Sequence, residues 1–382
     1  MSKTKKVILV IAVIFISGLS GIITNRYIFP HLATMKIFSK YDFFKKTTED
    51  VTIINKTEQI YVKEDTSINK ITNQATSSVV NIISSIDQTS NKKNQISLQP
   101  IIKNGTGLIV TSDGLIVTYT EAILTENARY KILTGENIYD ATLLDIDSYS
   151  NLAFLKIAAS NLPVASFGNS DDTVSGEKVI AIGNSSGAYN PSFASGVLSN
   201  FNKEFNLNDK SLASSEKLEG VFETDLNRQE KYVGGPVIDY SGQVIGLTGM
   251  SEKDGKVFFF QIPANKIKLV LEREIKKELN TNPVLGIYYL PITKSYSLMN
   301  NLPVQSGAII HSPSLQQGLA IIANSPAANA GLKIGDIIIA ISGEKIEGIN
   351  TLPDLLYKYH KGEEIELTIL RNAQEIKIKT QL

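Results

Sequence analysis

Hydrophobic and polar positions divide this chain into stretches of different texture. Lys3, Lys5 and Lys6 precede an uncharged, apolar run from Val7 to Thr24, about long enough to cross a bilayer as one helix. Gly18, Ser20 and Gly21 are small enough to invite signal cleavage. The run is nevertheless longer than a signal core and no Ala-x-Ala site follows, so residues 1–29 are expected to be a basic stub and an uncleaved transmembrane anchor. Arg26, Lys36 and Lys40 partly offset the basic N-terminus, so charge alone leaves the orientation open. Residues 30–65 read as a stalk. Tyr27, Phe29, Phe38, Tyr41, Phe43 and Phe44 lie among its lysines, either at the headgroup level or along a partly helical spacer, and Val51-Thr52-Ile53-Ile54 and Gln59-Ile60-Tyr61-Val62 suggest short extended pieces.

From Thr66 the pattern becomes that of a folded domain. Ser67 to Ala75 reads as a short helix, Ser78 to Ile83 as a first buried strand, and the polar run Gln88 to Gln95 as a loop. Short β-rich segments follow, divided by Ser112-Asp113-Gly114, Thr134-Gly135-Glu136-Asn137, Ser175-Gly176-Glu177 and Tyr240-Ser241-Gly242, which predicts an all-β barrel or sandwich. Asn265 to Leu279 closes this stretch as a helix, with Ile267, Val270, Leu271 and Ile275 on one face. A further domain is expected after Asn280-Thr281-Asn282-Pro283, giving boundaries of 66–280 and 281–382.

Composition narrows the chemistry. At 382 residues, 42% hydrophobic, more than one domain is expected. Lys+Arg and Asp+Glu balance at 38 each, so no overall field draws nucleic acid, and no nucleic-acid partner is expected. The absence of cysteine removes disulfides, thiolate nucleophiles and cysteine-ligated metals. Neither a cofactor nor a metal is expected. The three histidines are His31, His311 and His360, none of them within residues 66–280.

Several motifs occur in a fixed order: Asn104-Gly105-Thr106-Gly107-Leu108-Ile109-Val110, Ile116-Val117-Thr118, Asn151-Leu152-Ala153-Phe154-Leu155-Lys156-Ile157, Phe167-Gly168-Asn169-Ser170, Ala181-Ile182-Gly183-Asn184, Glu223-Thr224-Asp225 through Gly234-Gly235-Pro236-Val237, and Phe260-Gln261-Ile262-Pro263. This succession resembles the HtrA family of trypsin-like serine proteases. Val284-Leu285-Gly286-Ile287 and Ile321 to Ile338, with Ser325-Pro326-Ala327 and Gly331-Leu332-Lys333-Ile334-Gly335-Asp336, resemble the PDZ domain attached to those proteases. The resemblance implies a mostly β chain: a trypsin-like double β-barrel followed by an α+β PDZ domain with a hairpin, a helix around Leu352 to His360 and two closing strands. It also implies a body outside the cytoplasmic membrane, with the N-terminus inside, and assembly with HtrA-like subunits, commonly as trimers.

The same resemblance makes Glu121 the counterpart of the family's catalytic histidine, Asn151 of its aspartate and Val233 of its serine, with Lys231 and Tyr232 in place of the Gly and Asn that shape the oxyanion loop. A trypsin-type site needs a hydroxyl nucleophile, an imidazole base and an orienting carboxylate, and none of the three positions carries its group. Two other arrangements are open to the residues. Lys231 with Ser185 or Ser186 makes a formal Ser-Lys dyad, although Lys231 reads more simply as a solvated loop charge. Glu121 and Asp225 make a formal carboxylate pair, against solvated or capping roles, and Asp145 and Asp147 read as ordinary turn residues. Peptide binding is the function expected to survive. Val284, Leu285, Gly286 and Ile287 are expected to form a carboxylate-binding loop, and Leu352, Leu355, Leu356 and Tyr359 an apolar groove wall, the alternative being that these residues form the domain's core; His360 reads as an exposed helix end. The expected function is that of an anchored pseudoprotease that binds peptides or protein C-termini, with residues 7–24 in the lipid; the alternative is a serine endopeptidase whose site is rebuilt or completed by a partner.

Overall fold

Short strands rich in β-branched residues close on themselves twice before the chain reaches its long helix. The computed structural model describes residues 71–382 apart from 88–98, 185–188, 209–211, 227–229, 254 and 313–319, and, near the N-terminus, residues 13–18, 20–21, 23–24 and 28. Residues 71–382 form one unit and residues 1–70 another.

The first barrel contains β1 (Val79–Ile86), β2 (Ile101–Ile109), β3 (Leu115–Tyr119), β4 (Arg129–Thr134), β5 (Asn137–Ile146) and β6 (Leu152–Ile157), joined in the order β1-β2-β3-β6-β5-β4. Ile82, Ile116, Ile132 and Leu155 fill its interior. Closure leaves no free edge, so every strand can pair on both sides. The second barrel uses β7 (Lys178–Gly183) and β8 (Ser192–Asn206), then β10 (Glu219–Thr224), β11 (Pro236–Ile238), β12 (Val244–Lys253) and β13 (Lys256–Pro263), in the order β10-β13-β12-β11-β7-β8. The two-residue strand β9 (Ala213–Ser214), between β8 and β10, belongs to neither barrel.

After the helix α1 (Ala264–Lys276) comes the C-terminal domain, whose strands are β14 (Tyr288–Ile292), β15 (Gly307–Ile310), β16 (Ile337–Ile341), β17 (Glu344–Lys345), β18 (Glu364–Arg371) and β19 (Gln374–Gln381). Its helices are α2 (Lys294–Met299), α3 (Pro326–Asn329) and α4 (Leu352–Leu356). The sheet runs β19-β18-β16-β15-β14-β9, with β17 paired to β16, so its last strand is lent by the barrel region. Thr351 and Asp354 form a reciprocal capping box at α4, with Pro353 in the first turn, which fixes where that helix begins. The expected double barrel and α+β domain are both present.

In the N-terminal unit, residues 13–18, 20–21 and 23 are helical, with Val13, Ile14, Phe15 and Ile16 exposed. Among the described residues no helix is long and apolar enough to cross a membrane. The span expected over 7–24 lies partly outside those residues, and the stalk expected over 30–65 wholly so.

Helix α1 departs from its expected face. Ile267 and Val270 are buried, but Ile275 is 58% exposed, while Lys266, Arg273 and Glu274 are buried. The reason is the C-terminal domain, which packs on this helix and supplies polar partners. Lys266 Nζ donates to both carboxylate oxygens of Asp354 at 2.7 and 2.9 Å, and also to the Glu219 carbonyl. Arg273 donates to the carbonyls of Tyr357, at 2.7 Å, and Tyr359, at 3.2 Å. Tyr149 stacks on Tyr357 at 4.2 Å and donates its hydroxyl to Asp354. Asp147, read above as a turn residue, is fully buried and accepts from Tyr357, Asn282 and Ser150.

Glu219 lies in the same seam and accepts the Tyr289 hydroxyl. Burial pushes its carboxyl from an ordinary 4.5 to about 8; the Tyr289 hydrogen bond and the charges of Lys266 and Lys203 oppose the rise, and Asp354 adds to it. The folded chain therefore holds a proton that the unfolded chain releases. Stability from this group is complete below the unfolded value and is lost as pH rises through the folded one. Glu219→Gln is expected to flatten the decline in urea midpoint between about pH 5 and pH 9, and a decline as steep as in the parent chain would refute this origin.

Candidate functional site

The segment leaving β10 enters a 3-10 turn, Glu230–Tyr232, and reaches β11 through Val233, Gly234 and Gly235. The turn is fixed from three sides. Val233 N donates to Glu230 O at 3.0 Å, Gly235 N to Tyr232 O at 2.9 Å and Gly234 N to Thr248 O at 2.8 Å. Thr106, in β2 of the other barrel, donates its hydroxyl to Lys231 O at 2.9 Å and accepts from Asn184 N at 2.8 Å. One buried hydroxyl thus ties the first barrel to both the turn and the residue that follows β7. In the sequence Thr106 reads only as part of a strand, and its place between Gly105 and Gly107, where backbones approach closely, is the signal of this role.

The Tyr232 side chain, 4% exposed, packs with Val179, Ala181, Phe222 and Val237 in the core of the second barrel. Val233 is 2% exposed. Lys231 is half-buried, its ammonium 5.1 Å from the centroid of the Tyr232 ring. The amide of Val233 is engaged within its own turn, and its isopropyl group has no lone pair with which to attack a carbonyl. Ser185 and Ser186 lie outside the described residues.

Glu121 occupies a 3-10 turn, Thr120–Ala122, directly after β3. A methyl group placed on Gly234 would contact Ala122 Cβ, so this turn and the Val233 turn abut. Asn151 enters β6 with φ of 58°, a left-handed conformation that asparagine tolerates. Its carbonyl accepts from Thr120 N at 3.0 Å and Thr120 Oγ1 at 2.5 Å. The backbone thus gathers the segments of Glu121, Asn151 and Val233 into one frame that carries a carboxylate, an amide and an alkyl group. Asp225 is held on β8, its Oδ1 accepting from Val197 N at 2.6 Å.

In the C-terminal domain the structure brings Leu285, Ile287, Leu352, Leu355 and Leu356 together as interior side chains of one cluster, each at 0–2% exposure, with Tyr359 packed against it. Val284 is 44% exposed. His360 is half-buried, between Glu278 Oε2 at 3.0 Å and Glu363 Oε1 at 3.1 Å. The backbone of the loop is more informative than its side chains. Gly286 has φ of 82°, and a methyl there would run into the Ser325 side chain. This conformation turns successive N–H groups to one side, as in anion-binding backbone nests. Leu285 N and Gly286 N converge on one carboxylate oxygen, Glu216 Oε1, at 3.1 and 2.9 Å, and Ile287 N donates to Ser215 Oγ at 3.2 Å. Nothing local in the sequence marks Glu216.

Comparison with known proteins agrees with this architecture. The trypsin-like peptidase domain family matches over residues 105–247 and the PDZ domain family over residues 283–382. The chain is 28% identical over 277 residues to a probable periplasmic serine endoprotease DegP-like of Chlamydia muridarum, covering 72% of this chain and 52% of that protein. It is 31% identical over 282 residues to serine protease Do-like HtrA of Bacillus subtilis, covering 67% and 61%. The chain thus spans about half the length of the first of these relatives and somewhat more of the second. HtrA-type protease AlgW, solved with a tripeptide, shares the fold at a TM-score of 0.61 and 21% identity, over 81% of this chain and 95% of that one. With its double barrel, its PDZ domain and these relatives, the chain belongs to the HtrA family.

Proposed function

We propose that this protein is a membrane-anchored HtrA-like pseudoprotease that binds peptides or exposed protein C-termini through its PDZ domain, as an adaptor, a chaperone-like binder or an inactive partner of an HtrA-like subunit. Val233 carries this reading. In a barrel region without any histidine, the position matched to the nucleophile is an alkyl side chain whose own N–H is bonded to Glu230 O. Acyl transfer needs both a nucleophile and free donors aimed at the developing oxyanion. Glu121 and Asn151 complete the loss, since neither can serve as the imidazole base or its carboxylate orienter.

Anchoring rests on the apolar run 7–24 and on the exposed Val13, Ile14, Phe15 and Ile16 of its described part. The Ser17 hydroxyl donates back to the Val13 carbonyl at 2.7 Å and that of Ser20 to the Ser17 carbonyl at 3.0 Å, which satisfies both polar groups within the helix, as an apolar solvent requires. The barrels and PDZ domain then lie outside the cytoplasmic membrane, in keeping with relatives named as periplasmic. The second reading, a serine endopeptidase of envelope protein quality control with a rebuilt or partner-completed site, is favoured by the names of the same relatives.

A fluorophosphonate probe separates the two. The purified full chain is expected to show no labelled serine and no casein hydrolysis above buffer. Labelling of a single serine, lost on Ser186→Ala, or hydrolysis lost on Lys231→Ala, would move the protein to the endopeptidase reading.

A further inference from the structure

We propose that the PDZ domain of this protein carries a built-in ligand, the chain's own segment from Ala213 to Glu216, and that free peptide C-termini bind by displacing it. The second half of this statement rests on the reading of the domain as a peptide binder; the first does not.

Peptides bind such domains by adding a strand to a sheet edge and placing a terminal carboxylate on backbone N–H groups. Every part of that arrangement is present within one chain. β9 pairs antiparallel with β14 in the register Tyr288↔Ser214 and Tyr289↔Ala213, which directs the C-terminal end of the segment towards the loop at Leu285 and Gly286. Ser215 extends the pairing, its N–H donating to Ile287 O at 3.2 Å while its hydroxyl meets Ile287 N. The Glu216 side chain then supplies the carboxylate, on the two N–H groups that a terminal carboxylate would occupy. Its remaining positions are filled by the hydroxyls of Ser215 and Ser214, at 2.6 and 3.0 Å. The Ala213 side chain is buried in the PDZ core cluster, as an anchoring ligand residue would be.

The segment is presented, not merely adjacent. Asn206, at the end of β8, donates to Ser214 O and Lys217 O and accepts from Ser214 N, which holds the strand in the extended form needed for pairing. Lys266 and Asp354 fasten the domain to the barrel that bears the segment. A tethered ligand acts at an effective concentration of about millimolar or above, so a free peptide of ordinary affinity is outcompeted until the tether is weakened.

The test uses the full chain in detergent, with Glu216→Ala and the milder Glu216→Gln, which keeps an acceptor oxygen. Amide hydrogen exchange at Gly286 is read by NMR. Peptide binding is read by fluorescence anisotropy, with a labelled peptide of residues 207–215 that ends in a free carboxylate and with its C-terminal amide as control. Glu216→Ala is expected to accelerate Gly286 exchange and to tighten binding of the acid, not the amide, by about tenfold or more, with Glu216→Gln between it and the parent chain. Faster exchange with no binding of the acid by any form keeps the built-in ligand and sinks the peptide-binding reading. Unchanged Gly286 exchange in Glu216→Ala overturns the proposal, whatever the peptide does.

Discussion

Lys266→Met is expected to lower the unfolding free energy by about 3–5 kcal/mol, because it leaves the buried Asp354 carboxylate without its cation. The pair is largely buried, with side-chain exposures of 10% for Lys266 and 13% for Asp354. The orphaned charge is therefore only poorly solvated while the PDZ domain stays packed on α1. The same substitution also strips a donor from the Glu219 carbonyl. Adding Asp354→Asn removes the charge but keeps a side-chain oxygen for the Thr351 capping box, and is expected to recover most of the loss. Urea unfolding of the parent, both single variants and the double variant gives the coupling directly. A loss below about 1 kcal/mol for Lys266→Met would show that the seam admits water and that the pair does not hold the two domains together.

Gly234→Ala is expected to be nearly as damaging, at about 3 kcal/mol or more, for a geometric reason. Gly234 has φ of 79°, where a side chain is strained by about 1–2 kcal/mol, and the new methyl group would overlap Thr118 Oγ1 and the Thr106 carbonyl. Neither atom can retreat cheaply. Thr118 Oγ1 donates to Thr106 O at 2.6 Å, and Thr106 in turn holds Lys231 and Asn184. The clash is transmitted to the join between the barrels, and a fall in melting temperature of about 10 °C is expected by differential scanning calorimetry. A shift of only a degree or two would mean that the turn relaxes and that its tight fit has no structural role.

Much of this fold is legible from short β-rich segments divided by turn residues, because barrel strands such as Leu115–Tyr119 and Leu152–Ile157 bury nearly continuous apolar runs and reverse at glycine-containing turns. The succession from Asn104 to Pro263 also points to both barrels, and its resemblance singles out Glu121, Asn151 and Val233, whose segments the fold brings together. Side chains buried by a second domain are not legible in this way. Apolar periodicity on α1 points to Ile275, which is exposed, and passes over Lys266 and Arg273, which are buried, because hydrophobic pattern reports apolar partners and these have polar ones. Asp147 is missed for the same reason. The filling of the second barrel by Tyr232 depends on where a turn folds back, and β9 is too short for alternation to register. Glu216 acquires its meaning only from Leu285 and Gly286, far along the chain.

The lending of β9 to the C-terminal sheet has a consequence for how this molecule divides. By sequence the PDZ domain begins near residue 281, yet its sheet is finished by Ala213 and Ser214, from before the Val233 turn. A fragment starting at residue 281 would bare the β14 edge together with the loop N–H groups that Glu216 now covers, and such an edge recruits whatever strand is nearest. Excised in that way, the domain would be self-associating and indiscriminate, a property of the cut rather than of the protein.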